Sequence, residues 1–382
     1  MINNSITTSF FKWIENKSKV KHYPFYFALV LMIASLILVT PNFSIFNPDS
    51  MGWSTVKLKS NDLTNSLTSI YRKNWNAKKV FRLTVPVIMR ITHAKPLAIL
   101  VLQYILGYFT ILFLYKLAHR ITTDPISSSF TAAGIVFLYF GRAAFYDIEF
   151  AWFDGITFFA LITAMYSRNF ILIFLLSSLA AWTDERGFIA LSIVLLYHQL
   201  KNVDLSEIKI KSLITPNIKA IAVISAIALY ISLRLFLTHR YNMHTPSGDA
   251  NYLVIQKTLP YLGIGMWTFI EGFWMMVLFS FILILKNKNY VLGFLLLSVI
   301  CLFTLISGCV LDVTRSGSFM VPVLFIFLLY LKNIINSEKL RFILFISFII
   351  SLLFPPFLLC LDPDWHLNAL FQFPFYVHLL GL

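Results

Sequence analysis

The stretch LGIGMWTFIEGFWMMVLFSFILILKNKNYVLGFLLLSVICLFTLISG (262–308) decides the fold class of this chain. It contains two apolar runs, 262–285 and 290–308, separated by the short basic joint KNKN. A run of ~20 apolar residues is long enough to cross a hydrocarbon core of ~30 Å as a helix. Because both runs are continuous rather than alternating, they favour membrane-spanning helices over the strands of a closed barrel.

Similar runs recur along nearly all of the 382 residues. The chain is 58% hydrophobic and 13% charged, with a mean hydropathy of +0.78, whereas a soluble domain carries about 25% charged residues. The sequence therefore predicts an all-α integral membrane protein with about eleven transmembrane helices. The predicted spans are 23–41, 97–115, 126–141, 153–167, 169–183, 186–200, 218–236, 262–285, 290–308, 317–332 and 341–360.

Short basic joints between the spans predict the orientation. With the N-terminus in the cytoplasm, joints such as those at Arg168, Lys201 and Lys286 all fall inside, which follows the positive-inside rule. Sixteen of the 31 lysines and arginines then lie inside, and nine lie in the first outer loop, 42–96. We expect a C-terminus outside. The Ile/Phe/Asn/Lys-rich usage suits an AT-rich bacterial genome, and the expected location is the bacterial inner membrane.

The whole chain, 1–382, is predicted to be a single polytopic domain with an outer C-terminal tail, 361–382. It has no visible repeat, no low-complexity segment and no soluble domain. The first 22 residues are polar and basic, so we expect no cleavable signal peptide. The net charge of +14 is explained by cytoplasmic loops that face anionic lipid. We therefore expect membrane lipids as partners and no nucleic acid. The three cysteines lack metal-ligand spacing and are interpreted as core residues.

The first outer loop contains two candidate amphipathic segments, 63–75 and 80–91, in which apolar residues are mixed with basic ones including Arg82. Such segments form interfacial helices on the headgroups; the alternative is a solvated basic linker. Earlier in the loop, Asp49 lies in NPDSMGW (47–53) near the membrane surface. A carboxylate there can act as a general base toward an acceptor hydroxyl, although an acid after proline is also typical of a turn or helix cap.

Acidic residues gather at the predicted outer ends of the spans. The segment GRAAFYDIEFAWFDG (141–155) places Asp147, Glu149 and Asp154 among aromatic side chains, where desolvation suits acid–base or metal chemistry. Asp147 and Glu149 are therefore candidate catalytic residues. Asp154 starts a helix, which is an ordinary position for an acid.

Two outer arginines occur where predicted spans begin, each shortly after an acid. TDERG (183–187) contains Arg186, and LDVTRSG (311–317) contains Arg315. An arginine beside free helix N–H groups makes an anion site, and phosphate is its natural guest. Salt bridges that simply tie the loops together are the alternative. The acids of these motifs are assigned supporting roles, and they are Asp184, Glu185 and Asp312.

Glu271 lies inside the predicted span 262–285. A carboxylate in the hydrocarbon region is expected to be functional or paired within the bundle, so Glu271 is also a supporting candidate. His239 and His244 are five residues apart, unlike the two histidines of a helical zinc site. No cofactor is predicted with certainty, and a divalent metal on the outer acids stays open.

The order of these motifs resembles the GT-C superfamily of membrane glycosyltransferases, which use polyprenyl-phosphate-linked sugar donors. The resemblance covers roughly residues 25–335. The motifs that carry it are NPDSMGW (47–53), an Arg-x-x-x-Pro pattern (82–86), FDGITFFAL (153–161), TDERG (183–187) and DVTR (312–315).

The resemblance implies an inverting transfer on the outer face of the membrane. Asp49 would be the catalytic base, and Arg186 and Arg315, with Arg82 in the loop, would bind the donor phosphate. The expected partners are a polyprenyl-phosphate sugar lipid, a cell-surface glycan or lipid-linked acceptor, and membrane lipids. Two alternatives stay open, namely an O-antigen or capsule repeat-unit polymerase and a polysaccharide or lipid-linked sugar transporter or flippase.

Overall fold

The computed structural model describes residues 4–39, 46–67, 79–141, 151–205, 208, 215–245, 250–353, 357–360 and 366–369. This part of the chain is almost entirely helical, which confirms the predicted helical fold. The α-helices are α1 Asn4–Ser18, α2 Tyr23–Val39, α3 Met51–Asn61, α4 Thr84–Thr92, α5 Pro96–Thr122, α6 Pro125–Val136, α7 Asp154–Tyr166, α8 Phe170–Thr183, α9 Glu185–Leu200, α10 Ile218–Tyr241, α11 Ala250–Thr258, α12 Leu262–Ile270, α13 Trp274–Lys286, α14 Tyr290–Gly308, α15 Val313–Gly317, α16 Leu324–Ile334 and α17 Ser337–Leu353.

Within the described residues, five helical stretches are long and apolar enough to cross a membrane. They include α5, α10 and α14, together with the composite stretches Val254–Lys286 and Val313–Ile334, in which short 3₁₀ turns join consecutive α-helices. The helix α14 has the bounds predicted for its span. A sixth span exists if α1 and α2 are counted together, although the chain bends by 119° between them.

The other predicted spans correspond to shorter apolar helices. Helices α6, α7, α8 and α9 contain 12 to 16 residues, so they are about 18–24 Å long. That is less than a typical hydrocarbon core of ~30 Å. Their positions agree with the prediction, but their lengths alone do not establish eleven spans.

The helix α1 was not predicted, because its residues are polar and basic in sequence. It packs on the bundle through Phe11, whose ring lies 5.6 Å from that of Phe130 in α6 and 5.8 Å from that of Phe345 in α17. Amphipathic composition explains this contact, since Ile14 is buried while Lys12 and Lys17 are exposed.

Polar contacts between helix ends form two separate layers. In the first, called the loop layer, the backbone N–H of Leu83 in the first loop donates to the carbonyl of Trp182 at 2.9 Å. In the same layer Arg315, in α15, pairs with Asp154 at the start of α7.

The second, called the basic layer, lies at the opposite ends of these helices. There Arg120 donates to the carbonyl of Tyr166 at the end of α7. The amide of Asn217 donates to the carbonyl of His198 near the end of α9 at 2.6 Å. Both α7 and α9 therefore run from one polar layer to the other, despite their modest length.

The end of the chain departs from the prediction. At the last predicted span, 341–360, the described helix covers Ser337–Leu353, and Phe357–Cys360 forms a strand that pairs antiparallel with His366–Ala369. The sequence between them contains Pro355 and Pro356, and proline is unfavourable inside a helix because it lacks an N–H donor. The second strand belongs to the predicted tail.

Candidate functional site

Three acidic residues mark helix starts in the loop layer. Asp154 is the first residue of α7, Asp184 precedes α9, and Asp312 precedes α15. The Asp184 side chain caps its helix by accepting from the Arg186 backbone N–H at 2.9 Å. Negative charge is favoured at a helix N-terminus, which is why acids occupy these positions.

The shortest ion pair of the loop layer joins Asp154 and Arg315. Nε and Nη2 of Arg315 donate to the two carboxylate oxygens at 2.6 and 2.8 Å. Both side chains are almost fully buried, with 1% and 3% of their surface exposed. The Tyr139 hydroxyl donates to the same carboxylate at 3.4 Å, and the Trp152 ring lies 3.9 Å from the guanidinium carbon.

A second buried pair lies directly beside the first. Nε and Nη2 of Arg186 donate to Asp184 at 2.8 and 2.9 Å, and its Nη1 donates to the Ser316 hydroxyl at 3.2 Å. Longer contacts connect the two pairs, with Arg186 3.8 Å from Asp154 and Arg315 3.7 Å from Asp184. Arg186 and Arg315, which were expected to share one site with Asp49, therefore lie side by side.

The first loop joins this charged network through Arg82. Its guanidinium pairs with Asp184 and Glu185, each at 3.0 Å. Arg82 is 21% exposed, so it is the most accessible of the three arginines in the network. We use "charged network" for these residues: Arg82, Asp154, Asp184, Glu185, Arg186, Asp312 and Arg315.

The charged network is close to electrically neutral, because three arginines face four carboxylates when all are ionised. Burial alone would raise the pKa of the Asp184 carboxyl, but Arg186 and Arg82 outweigh burial and hold that pKa well below its usual value. The third nitrogen of Arg315, Nη1, donates to Asp312 at 3.3 Å. Each guanidinium nitrogen of Arg315 thus already contacts a carboxylate, which leaves little capacity for another anion.

Two glycines allow the helices to approach closely enough for these pairs. A Cβ on Gly187 would lie 2.4 Å from the Thr157 side chain and 2.6 Å from the carbonyl of Ala180. A Cβ on Gly317 would lie 2.0 Å from the Phe269 ring. Both glycines follow an arginine of the network by one or two residues, so they bring that arginine against the neighbouring helices.

The first loop packs onto the same end of the bundle. Trp53 of α3 is fully buried and meets Phe153 with ring centroids 5.8 Å apart. Helix α4 covers most of the second predicted amphipathic segment, and its buried residues include Val85 and Met89. These apolar residues contact protein, so α4 is docked as well as amphipathic. Most of the first predicted segment, 63–75, lies outside the described residues.

Asp49 lies apart from the ion pairs of the charged network. Its side chain is 79% exposed and pairs with Lys57 at 2.7 Å, while its backbone N–H donates to the Asn47 side chain. Three residues separate it from Trp53, whose ring packs against Phe153, the residue directly before Asp154. The structure therefore places Asp49 on the same loop layer, as an accessible carboxylate.

Three other predicted residues have different outcomes. Asp147 and Glu149 lie outside the described residues. Glu271 is buried and has a φ of 39° at the end of α12, where a 3₁₀ turn interrupts the long stretch Val254–Lys286. A positive φ in a non-glycine residue is uncommon and is often held in place at functional sites.

Asp154, predicted only as an ordinary acid at a helix start, is central to the network. Its signal was present in the FDG motif, but a helix start explained the acid equally well. Tyr139 and Ser316 were missed, and nothing local in sequence distinguishes them. No group of three metal-ligating side chains occurs within the described part of the chain, and the divalent metal stays a prediction.

A cavity of 420 Å³ lies away from the network, between α9, α10 and α14. Its lining is mainly apolar and includes Leu195, Ile224 and Val299. It contains no charged side chain, so it does not extend the candidate site.

Comparisons with known proteins give no relative for this chain, since no family model, curated protein or solved structure matches it. The resemblance of the short motifs to the GT-C superfamily therefore stays a prediction.

Proposed function

We propose that this protein is a membrane glycosyltransferase that moves a sugar from a polyprenyl-phosphate donor to a glycan or lipid-linked acceptor at the outer face. The observation that carries the proposal is the charged network, in which the first loop and three helix starts contribute to one site. A docked loop over a charged bundle end provides both an interfacial surface for the lipid and fixed charges for a phosphate.

Asp49 is the proposed general base. Its carboxylate is exposed and is held by one lysine, Lys57, so an acceptor hydroxyl can reach it. The hydroxyl would attack the anomeric carbon of the donor sugar from the face opposite the lipid phosphate. Asp49 would take the proton of that hydroxyl as the bond between the anomeric carbon and the phosphate oxygen breaks. The leaving phosphate would carry away the negative charge.

The geometry favours a division of roles among the three arginines. Arg82 is partly exposed and is the proposed phosphate contact, because its guanidinium is the most accessible of the three in the charged network. Arg186 and Arg315 are buried in ion pairs, so we propose that they position Asp184 and the loop. Direct binding of phosphate by Arg186 or Arg315 would require exchange of these carboxylates.

We propose about eleven spans, with the loop layer outside, the basic layer in the cytoplasm, the N-terminus inside and the C-terminus outside. Helices α7 and α9 support this count, since each connects the two polar layers. A locally thin membrane or tilted neighbours accommodate such short spans. The bacterial inner membrane is the proposed location.

Cysteine labelling tests this topology in a background where Cys301, Cys309 and Cys360 are changed to serine. Intact cells treated with a membrane-impermeant maleimide should label Lys95→Cys and Tyr241→Cys. They should not label Arg168→Cys or Asn287→Cys until the cells are permeabilised. All four positions are exposed, so access to the side chain is not limiting. Labelling of Asn287→Cys in intact cells would contradict the orientation.

A transfer assay tests the proposed activity. Membranes containing the protein should move radiolabel from a polyprenyl-phosphate sugar to a non-extractable or larger lipid-linked product. Membranes with the Arg82→Gln variant at equal expression should show a reduced rate, because the phosphate contact is lost. No transfer from any polyprenyl-monophosphate donor, but transfer from a diphosphate-linked glycan, would identify the polymerase alternative.

One observation favours a second candidate, a lipid-linked sugar transporter. The stretch Val254–Lys286 is broken at buried Glu271, and interrupted helices carry the substrate site in many transporters. In that case the labelled lipid would become accessible outside without a change in its chemical composition. The same assay therefore separates the two functions by product analysis.

A further inference from the structure

The basic layer gathers four cations from four segments of the chain. Arg120 lies near the end of α5, Arg168 in the joint between α7 and α8, Lys201 directly after α9, and Lys219 in the first turn of α10. Within the described ranges, none of the four has a carboxylate within 4 Å. This cation cluster contrasts with the charged network, where every arginine is paired.

Three contacts hold the four segments together. Arg120 donates to the Tyr166 carbonyl, and its guanidinium carbon lies 3.8 Å from the centroid of the same ring. His198 contacts the Ala164 carbonyl at 3.0 Å, and Asn217 donates to the carbonyl of His198 at 2.6 Å. Each cation of the cluster is, or lies within three positions in sequence of, a residue that makes one of these contacts. The contacts therefore bring the four cations into one patch.

The positive charges of the cluster affect one another. Lys201 is half-buried, and burial together with Arg120, Lys219 and Arg168 lowers its pKa to about 8. Like charges at short range repel, and an anion with several oxygens would relieve that repulsion. Phosphate suits such a patch because arginine and lysine offer it charge-assisted hydrogen bonds.

We propose that the cation cluster binds the phosphate headgroup of an anionic phospholipid from the cytoplasmic leaflet. The cluster lies at the ends of four helices in the basic layer, at the level where headgroups lie in the proposed topology. Basic pockets between helices on this side are suited to anionic lipid. The site is separate from the loop layer, so it does not depend on the transferase chemistry.

Binding of a fluorescent phosphatidylglycerol to the full-length protein in neutral detergent tests the site. Wild-type protein should bind this lipid more tightly than the matching phosphatidylcholine. The double variant Lys201→Gln/Lys219→Gln should weaken phosphatidylglycerol binding by about 25-fold, since each cation near an anionic headgroup contributes about fivefold. Phosphatidylcholine binding should not change.

A matched control removes two exposed lysines of the same layer outside the cluster, Lys286→Gln/Lys288→Gln. This variant should bind phosphatidylglycerol within about fivefold of wild type. The charge-preserving variant Lys201→Arg/Lys219→Arg should retain binding, which separates charge from any folding defect. An equal loss in the control and cluster variants would overturn the site. Displacement by equimolar inorganic phosphate would overturn the lipid assignment and indicate a soluble anion.

Discussion

We expect Asp49→Asn to reduce sugar transfer by about 10²–10⁴-fold while the protein accumulates at the wild-type level, because this is the range for losing a positioned acid–base group. Asparagine has nearly the same shape but cannot accept the proton. The side chain is exposed, so the substitution leaves the packing of the loop unchanged. The measurement is the initial rate of radiolabel transfer in membranes, normalised to protein.

Two further variants sharpen this test. Asp49→Glu should recover little activity, since an extra methylene displaces the oxygen beyond what an aligned attack tolerates. Asp62→Asn is the matched control, because Asp62 is another exposed acid of the same loop. Its carboxylate accepts a hydrogen bond from the Thr64 hydroxyl. That control should retain near-normal transfer.

The opposite result would also be informative. If Asp49 only stabilises a turn, asparagine should replace it almost without loss, because asparagine serves in turns and caps as well as aspartate. Near-normal transfer by Asp49→Asn would end its assignment as the base. Asp147 and Glu149 would then be the next candidates.

The second large effect concerns the stability of the charged network. Replacing Arg315 by methionine leaves the carboxylate of Asp154 buried without its main partner. Breaking a buried pair on one side costs about 3–5 kcal/mol. We therefore expect Arg315→Met to lower the free energy of unfolding by that amount, measured by chemical unfolding of the detergent-solubilised protein.

A double-mutant cycle isolates the pair. Asp154→Leu/Arg315→Met should be more stable than either single variant, since replacing both charges by apolar groups removes the unpaired one. The control is Arg341→Met in the basic layer, whose pair with Asp124 is more exposed and should contribute about 1 kcal/mol. Wild-type stability in Arg315→Met would contradict a role of the pair in holding the helices.

Much of the fold follows from patterns that the sequence displays directly. Apolar runs such as 290–308 predict their helices closely because the bilayer requires continuous apolar length. Helix α1 was not predicted because it is stabilised by packing against Phe130 and Phe345, which are distant in sequence. The strand at Phe357–Cys360 also depends on a partner segment that local propensity does not identify.

The candidate site was predictable only in part, for a related reason. The motifs around Arg186 and Arg315 identified the arginines and their shared location. They could not indicate that the main partner of Arg315 is Asp154, because Asp312 is much closer to it in sequence. That pairing depends on tertiary distance, and it changes the expected role of both buried arginines from binding phosphate to holding the site together.

The pairing of Asp154 with Arg315 also has a consequence for biosynthesis. The two residues are 161 positions apart, so at ~5–20 residues per second the ribosome delivers the arginine about 8–32 s after the aspartate. During that interval the start of α7 carries a carboxylate without its cation, and hydration at the membrane surface must stabilise it. The loop layer therefore completes its assembly late, after the ninth predicted span has been synthesised.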